Sequence, residues 1–256
     1  MDLHDYDDIV ENYDLYTNSM FGNNSKLSDT ATINFHLELA KKYGQGNILD
    51  LACGTGLTAI PLAKNHFSVT ALDISQPMID KLNVKANNEN IKINSLCSNM
   101  CDFNLKHNFS FAFIARTGFM HLLTNEDQKK CLTNIHSHLL PKGILSLNTF
   151  YPHHDVLSRS MKNDIEDYSL RLEYQNCKGN AEKIYNSNTY NPETQVMSGQ
   201  WRFDEFQNGE VINTRVRPLK LRMTFKYEMI NLLELTGFRI IDIYGNYSLD
   251  PAKYPG

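Results

Sequence analysis

The chain has 256 residues, 41% of them hydrophobic and 21% charged, and a formal net charge of −4. That length can bury the core of one large domain, or of one domain carrying an insertion. The charge offers no bulk attraction to nucleic acid or anionic lipid, and no apolar run approaches a bilayer span, so neither is expected as a partner.

Residues Met1 to Asp14 are acidic and polar, unlike a secretory or transit peptide, and a cytoplasmic location is expected. Residues 3–22 carry Ile9, Val10, Tyr13, Leu15 and Tyr16, compatible with short helices. A second helix is predicted from Ser28 as cap to about Gly44. Asn47 to Leu51 then reads as a strand, Cys53-Gly-Thr-Gly56 as a glycine turn, and Leu57 to Lys64 as a helix with Pro61 near its first turn.

The alternation continues with a strand at 68–72, a helix at 76–86, strands at 91–96 and 109–115, and a helix at 126–140. Leu132, Ile135 and Leu139 form the apolar stripe of that last helix. Pro141-Lys-Gly143 is expected to turn into a fifth strand at 144–150. Such alternation predicts an α/β fold with a parallel sheet covered on both faces. From Tyr168 the period changes to two, and Gln207-Asn-Gly209 is a hairpin signal. Residues 168–222 therefore read as antiparallel strands inserted before a last helix, 225–235, and a last strand, 238–244.

Five scattered cysteines (Cys53, Cys97, Cys101, Cys131 and Cys177) read as reduced, packed thiols. Neither His136 and His138 nor His153 and His154 have a recognisable third ligand, and no metal is expected.

The stretch Leu49-Asp-Leu-Ala-Cys-Gly-Thr-Gly56 carries the most chemistry. Glycines between a strand and a helix let backbone approach a ligand at the positive helix end. Asp73 closes the second strand beside the same crevice, where it can chelate a ribose diol. A dinucleotide would satisfy that much, because Gly54 to Ala59 fits a loose G-x-G-x-x-A. Asp50 argues the other way. A carboxylate beside the turn would repel a pyrophosphate but suits the ammonium and sulfonium of S-adenosylmethionine.

With LDLACGTG at 49–56, ALDIS at 71–75, SNMCDF at 98–103, FSFAFIARTGFMHL at 109–122, LLPKG at 139–143 and TGF at 236–238, the chain resembles the class I S-adenosylmethionine-dependent methyltransferases. The layout is most similar to small-molecule N-methyltransferases of the aminosugar type. The resemblance implies a Rossmann-like seven-stranded sheet, order 3-2-1-4-5-7-6, with an antiparallel β insertion. It implies a methionine site at Asp50, Ala52, Cys53, Gly54 and Gly56, and ribose bonds to Asp73. Ile74, Met78, Asn99 and Met100 would flank the adenine, with Ala115 at the end of strand four. Tyr13 would belong to a lid over S-adenosylmethionine, and His121 would stand near the acceptor as the catalytic group. The implied organisation is a helical lid at 1–43, a cofactor domain at 44–155 and 216–256, and an acceptor-shaping insertion at 168–222.

Each residue has a plainer reading beside the functional one. His121 could be a proton acceptor or a packed histidine, and Tyr13 a lid or a helix residue on the sheet. Arg116 could orient an anionic substrate or pair with a nearby carboxylate. Trp201 fits a core as well as a substrate platform. The expected function is methyl transfer to a small molecule, nitrogen favoured over oxygen, with a non-catalytic S-adenosylmethionine-binding regulator as the alternative.

Overall fold

The computed structural model describes residues 7–21, 29–150, 153–162 and 164–250. Ser28, expected as a helix cap, lies outside the described residues. Five strands, β1 (Ile48–Leu51), β2 (Val69–Asp73), β3 (Asn94–Cys97), β4 (Phe109–Ile114) and β5 (Leu139–Leu147), form a parallel sheet in the order 3-2-1-4-5. All four residues of β1 are buried, as the centre of a sheet covered on both faces requires.

Alternate side chains go to opposite faces. Ile48, Ala71, Phe111 and Phe113 pack with Ala40 of α2 (Asp29–Tyr43), Leu62 of α3 (Ala59–Lys64), and Ile79 and Leu82 of α4 (Gln76–Asn88). Leu49, Leu51, Ala112 and Ile114 pack with Leu132 and Ile135 of α5 (Asn125–His138) and with Leu232 of α7 (Lys226–Leu235). The helix α1 (Tyr13–Phe21) follows a 3-10 turn at Asp7–Ile9, and α6 (His154–Ser160) follows β5. Side-chain caps start α4 and α5: the Met78 N–H donates to Ser75 Oγ at 3.3 Å and the Asp127 N–H to Thr124 Oγ1 at 3.1 Å. On both sides of β1 the connections run in opposite directions, which opens a crevice at the strand C-termini.

A second sheet holds β6 (Ser169–Gln175), β7 (Ala181–Asn191), β8 (Val196–Gln207) and β9 (Glu210–Arg222), antiparallel and in sequence order. The β8–β9 hairpin turns at Asn208 and Gly209, φ 53° and 85°, the left-handed pair that a two-residue hairpin needs. Ile184 and Phe203 pack with Ile9 of the N-terminal segment, and Met197 packs with Met120 from the loop after β4.

Two expectations are corrected. The sheet has five strands among the described residues, not seven: 238–244 makes no strand. Its Phe238 packs against the core cluster of β4 and α5, whereas Tyr244 and Tyr247 pack edge-on against Phe35 of α2, and the segment lies across the larger cavity from β5 without pairing to it. Pro141-Lys-Gly143 is a bulge inside β5 rather than a turn before it, with Lys142 at φ 66°.

Candidate functional site

The loop leaving β1 forms the floor of a cleft. Ala52 and Gly54 both lie at φ 54° and Gly56 at φ 79°, so the chain turns sharply out of the sheet. A Cβ on Gly56 would stand 2.8 Å from Leu82 Cγ; glycine lets α4 pack directly against the turn. Beneath this floor Asp50 is buried and its Oδ2 has no hydrogen-bond partner. Burial, reinforced by the charge of Asp73, pushes its carboxyl well above the usual carboxylate range, while Arg116 opposes that rise. An unsatisfied buried carboxylate oxygen costs about 1–3 kcal/mol or more.

The end of β2 is the reverse case. Asp73 Oδ2 accepts the Gly54 N–H at 2.8 Å and Oδ1 accepts the Ser75 N–H at 2.9 Å. Burial raises its pKa and those backbone donors oppose the rise. The two bonds fix the carboxylate, and each oxygen keeps a lone pair for a further donor. Ile74, Met78 and Met100 line the cleft beside it. Asn99 lines it too, but its Oδ1 already accepts the Cys101 N–H at 2.9 Å, leaving one lone pair on that oxygen.

Past β4, Ala115 and Gly118 close the cleft, and Arg116 and Thr117 both take left-handed backbone, φ 52° and 64°. That turn leads into a 3-10 segment, Gly118–His121, packed against β9. His121 reaches the cleft from its end. Burial, with the positive charge of Arg217 on β9 adding to it, lowers the His121 pKa to about 4, so its ring is neutral near pH 7. Arg116 Nη1 is paired with Asp29 of α2, yet Arg116 Nε and Nη2 are buried without a partner.

The N-terminal segment crosses the cleft. The Tyr13 ring lies over Gly54, 3.7 Å from where a Cβ would stand. Polar ties fasten the segment on either side: the Ser75 hydroxyl donates to Asp7 Oδ1, the Thr55 hydroxyl and Lys85 Nζ donate to Asp14, and Lys81 pairs with Glu11.

Tyr13, Arg116 and His121 also border a second, open cavity of about 1750 Å³, which Trp201 and Met197 of β8 and Leu219 of β9 line from the antiparallel sheet. One wall of the cleft is therefore shared with a space large enough for many small molecules.

Of the residues singled out from sequence, Tyr13, Ala52, Cys53, Gly54, Asp73, Ile74, Met78, Asn99, Met100, Ala115 and His121 line one cleft. Asp50 and Gly56 lie under its floor rather than on it, because Asp50 faces the α2–α4 side of the sheet and Gly56 already turns into α3. Leu57, Leu72, Ser75 and Gly118 line it as well and went unnoticed. Ser75 was findable, as the cap that ends ALDIS, and Leu72 as the last apolar residue of β2.

Residues 48–143 match the methyltransferase domain family. A glycine/sarcosine N-methyltransferase from Aphanothece halophytica is 27% identical over 83% of this chain and 74% of its own length. A ubiquinone biosynthesis O-methyltransferase from Rickettsia canadensis is 34% identical over 40% of this chain and 42% of its own. The chain spans between 34% and 74% of the length of the first curated relatives it matches. Among solved structures, the CcbJ methyltransferase of Streptomyces caelestis superposes with a TM-score of 0.78 at 20% identity, covering 98% of this chain and 94% of that one. The sugar N-methyltransferase KedS8 of Streptoalloteichus shares the fold at a TM-score of 0.66 and 14% identity, over 88% and 83%.

Proposed function

We propose that this chain, whose residues 48–143 match the methyltransferase domain family and whose fold is shared with a solved methyltransferase, is a class I S-adenosylmethionine-dependent methyltransferase that methylates a nitrogen of a small molecule. When bound, S-adenosylmethionine supplies an electrophilic methyl on a sulfonium. Residues in and beneath the cleft fit that group: the buried Asp50 carboxyl under the floor, unpartnered at Oδ2, for its cationic end, a fixed carboxylate with spare lone pairs for a diol, and apolar side chains for a base. Asp73 then holds the ribose, Ile74, Met78, Asn99 and Met100 flank the adenine, and Tyr13 with its tethered segment covers the cleft against water.

The state of His121 carries the preference for nitrogen. Its pKa near 4 leaves it neutral but a weak base. A hydroxyl acceptor needs a strong base within reach, whereas a neutral amine brings its own lone pair. A neutral imidazole can still accept a hydrogen bond from the amine and so aim the lone pair. Strands β8 and β9 shape the acceptor side, and the longer alignment with the glycine/sarcosine enzyme supports an amine substrate. The open cavity beside the cleft favours an enzyme over a regulator that only binds the cofactor.

Release of S-adenosylhomocysteine should be measured against paired small amines and alcohols that share a skeleton. The expected result is turnover of amines, with kcat/KM rising through the amine's own pKa and no inflection near His121's. Turnover of alcohols alone would end the nitrogen reading. His121→Ala should slow turnover by about 10–100-fold, below the upper range for a general base, with cofactor affinity nearly intact.

A further inference from the structure

Arg116 borders both the cofactor cleft and the larger cavity, and the turn that it begins ends on His121, which borders both as well. Asp29 holds only one end of its guanidinium, through Nη1. The other oxygen of that carboxylate is engaged elsewhere, because Asp29 Oδ2 accepts the Thr17 hydroxyl at 3.4 Å. The side-on edge of Arg116, Nε and Nη2, is buried and has no partner among the described residues. Unfilled donors are costly to bury, most of all on a charged group, so this edge is a standing receptor for a pair of acceptor oxygens.

The larger cavity is biased the same way. Its charged lining residues are Arg116, Lys142, Lys226, Arg239 and Asp242, four cations against one carboxylate, in a chain whose formal net charge is −4. On β9 the buried Arg217 sets a further positive charge against His121. Such a lining concentrates anions and repels an amine that carries positive charge alone.

We propose that the methyl acceptor is an amino acid, its carboxylate lying along Arg116 Nε and Nη2 and its nitrogen beside His121. The planar fork matches a carboxylate oxygen for oxygen, and one added negative charge suits a guanidinium that Asp29 has already partly neutralised. The turn joining Arg116 to His121 is short, so one small molecule can meet both. The amine forms its N–C bond as the methyl's C–S bond breaks, S-adenosylhomocysteine leaves, and the surplus proton passes to water. Asp29 is a positioning residue that fixes which edge of the guanidinium is left for the acceptor. This inference rests on the reading of the chain as an N-methyltransferase and names its substrate class.

Release of S-adenosylhomocysteine from the full chain tests it with glycine, β-alanine and 4-aminobutyrate. Each is compared with its carboxamide, its phosphonate counterpart and its hydroxy-acid counterpart. The natural protein should use at least one of the three amino acids with kcat/KM about 10–100-fold above that of its carboxamide, the range of a charge-assisted bidentate contact. The carboxamides carry the less basic amines, so more of each is neutral near pH 7, which weights the comparison against this result. Arg116→Met should remove the preference, the amino acid's KM rising by a similar factor toward the carboxamide's. Arg116→Lys keeps the charge without the fork and should fall between; if the methionine variant does not fold, this variant and the natural protein decide. Carboxamides used as well as amino acids by the natural protein overturn the proposal. So does a preference for the phosphonates, which assigns the edge to a phosphate group, and so does an equal loss of both classes in either variant, which marks a scaffold role. No turnover of any probe overturns the amino acid class. Turnover of the hydroxy acids alone removes the nitrogen reading on which the proposal rests.

Discussion

The two sheets border adjoining cavities and are furnished differently. On the parallel sheet, polar groups are fixed in place by backbone: Asp73 is held by the Gly54 and Ser75 N–H groups, and Asn99 by Cys101. On the antiparallel sheet, the side chains that line the cavity are Met197, Trp201, Leu219 and Leu221, largely apolar groups among which the Trp201 indole N–H alone has a fixed hydrogen-bond direction. Fixed donors and acceptors select one ligand sharply, since a wrong ligand leaves them buried and unpaired. Flexible thioethers and aliphatic chains admit several shapes. The first sheet therefore specifies its ligand and the second permits a range, which suits one constant cofactor and an acceptor that differs among similar proteins.

Two neutral histidines lie against the parallel sheet, His36 on α2 and His121 after β4, and acid should charge both. His36 of α2 and His121 have pKa values lowered to about 4, chiefly by burial. In the unfolded chain both titrate near 6.5, so unfolding takes up protons between those values. Stability is thus fully present above pH 6.5 and falls as the pH drops toward 4, by about 3 kcal/mol per histidine. Asp50 acts with the opposite sign, because its raised pKa favours the protonated folded form. Urea unfolding from pH 4 to 8 should be compared for the natural protein and His36→Asn. The difference between the two curves should narrow with acidification over that window. Parallel curves would show that His36 takes up its proton in the fold as it does in the unfolded chain.

The specified half should be the more brittle to polar change. Asp73→Ala removes the acceptor for two backbone N–H groups and, on the proposed reading, for the ribose; it should weaken S-adenosylhomocysteine binding by about 1.5–3 kcal/mol with dinucleotides inert throughout. An unaltered affinity in that variant would place the ribose elsewhere. Gly56→Ala should lower unfolding stability by about 1–3 kcal/mol, from left-handed backbone and overpacking against Leu82 combined. The permissive half should yield more softly. Trp201→Ala should raise the acceptor KM severalfold and leave cofactor affinity alone; a loss of cofactor binding would erase the division of labour between the sheets.

The cofactor half was legible because its chemistry is local. Glycines, Asp50 and Asp73 lie at strand ends, where hydrophobic period and turn residues locate them without tertiary knowledge. For Arg116 the sequence leaves open an anionic substrate or a nearby carboxylate as partner, and only the folded chain shows Asp29 taking one end of the guanidinium and leaving the other. Period two located the antiparallel strands, and Asn208-Gly209 the hairpin, yet no local rule says which strand face meets His121. The final strand failed for a like reason: Phe238 to Tyr244 has a strand's composition, and its course is set by Tyr244 and Tyr247 docking on Phe35, far away in sequence.

The strap over the specified half provides the mildest test. Asp14 accepts Lys85 Nζ at 2.6 Å, with both side chains partly exposed, and Glu11 pairs with Lys81 nearer solvent. Exposed pairs contribute about 0–1 kcal/mol and weaken with salt, so global stability should barely register Lys85→Ala. On the proposed reading the strap parts when ligand leaves, and these ties act directly on that motion. Stopped-flow displacement of S-adenosylhomocysteine should show dissociation quickened about two- to fivefold in Lys85→Ala, the kinetic counterpart of roughly 0.5–1 kcal/mol. Raising the salt concentration should quicken release from the natural protein and do less to the variant, which has already lost the tie. Equal salt sensitivity in both would mean that the strap is held by its aromatic contacts, Tyr13 on Gly54 and Tyr16 toward Trp201 at 6.4 Å between ring centres, rather than by its charges.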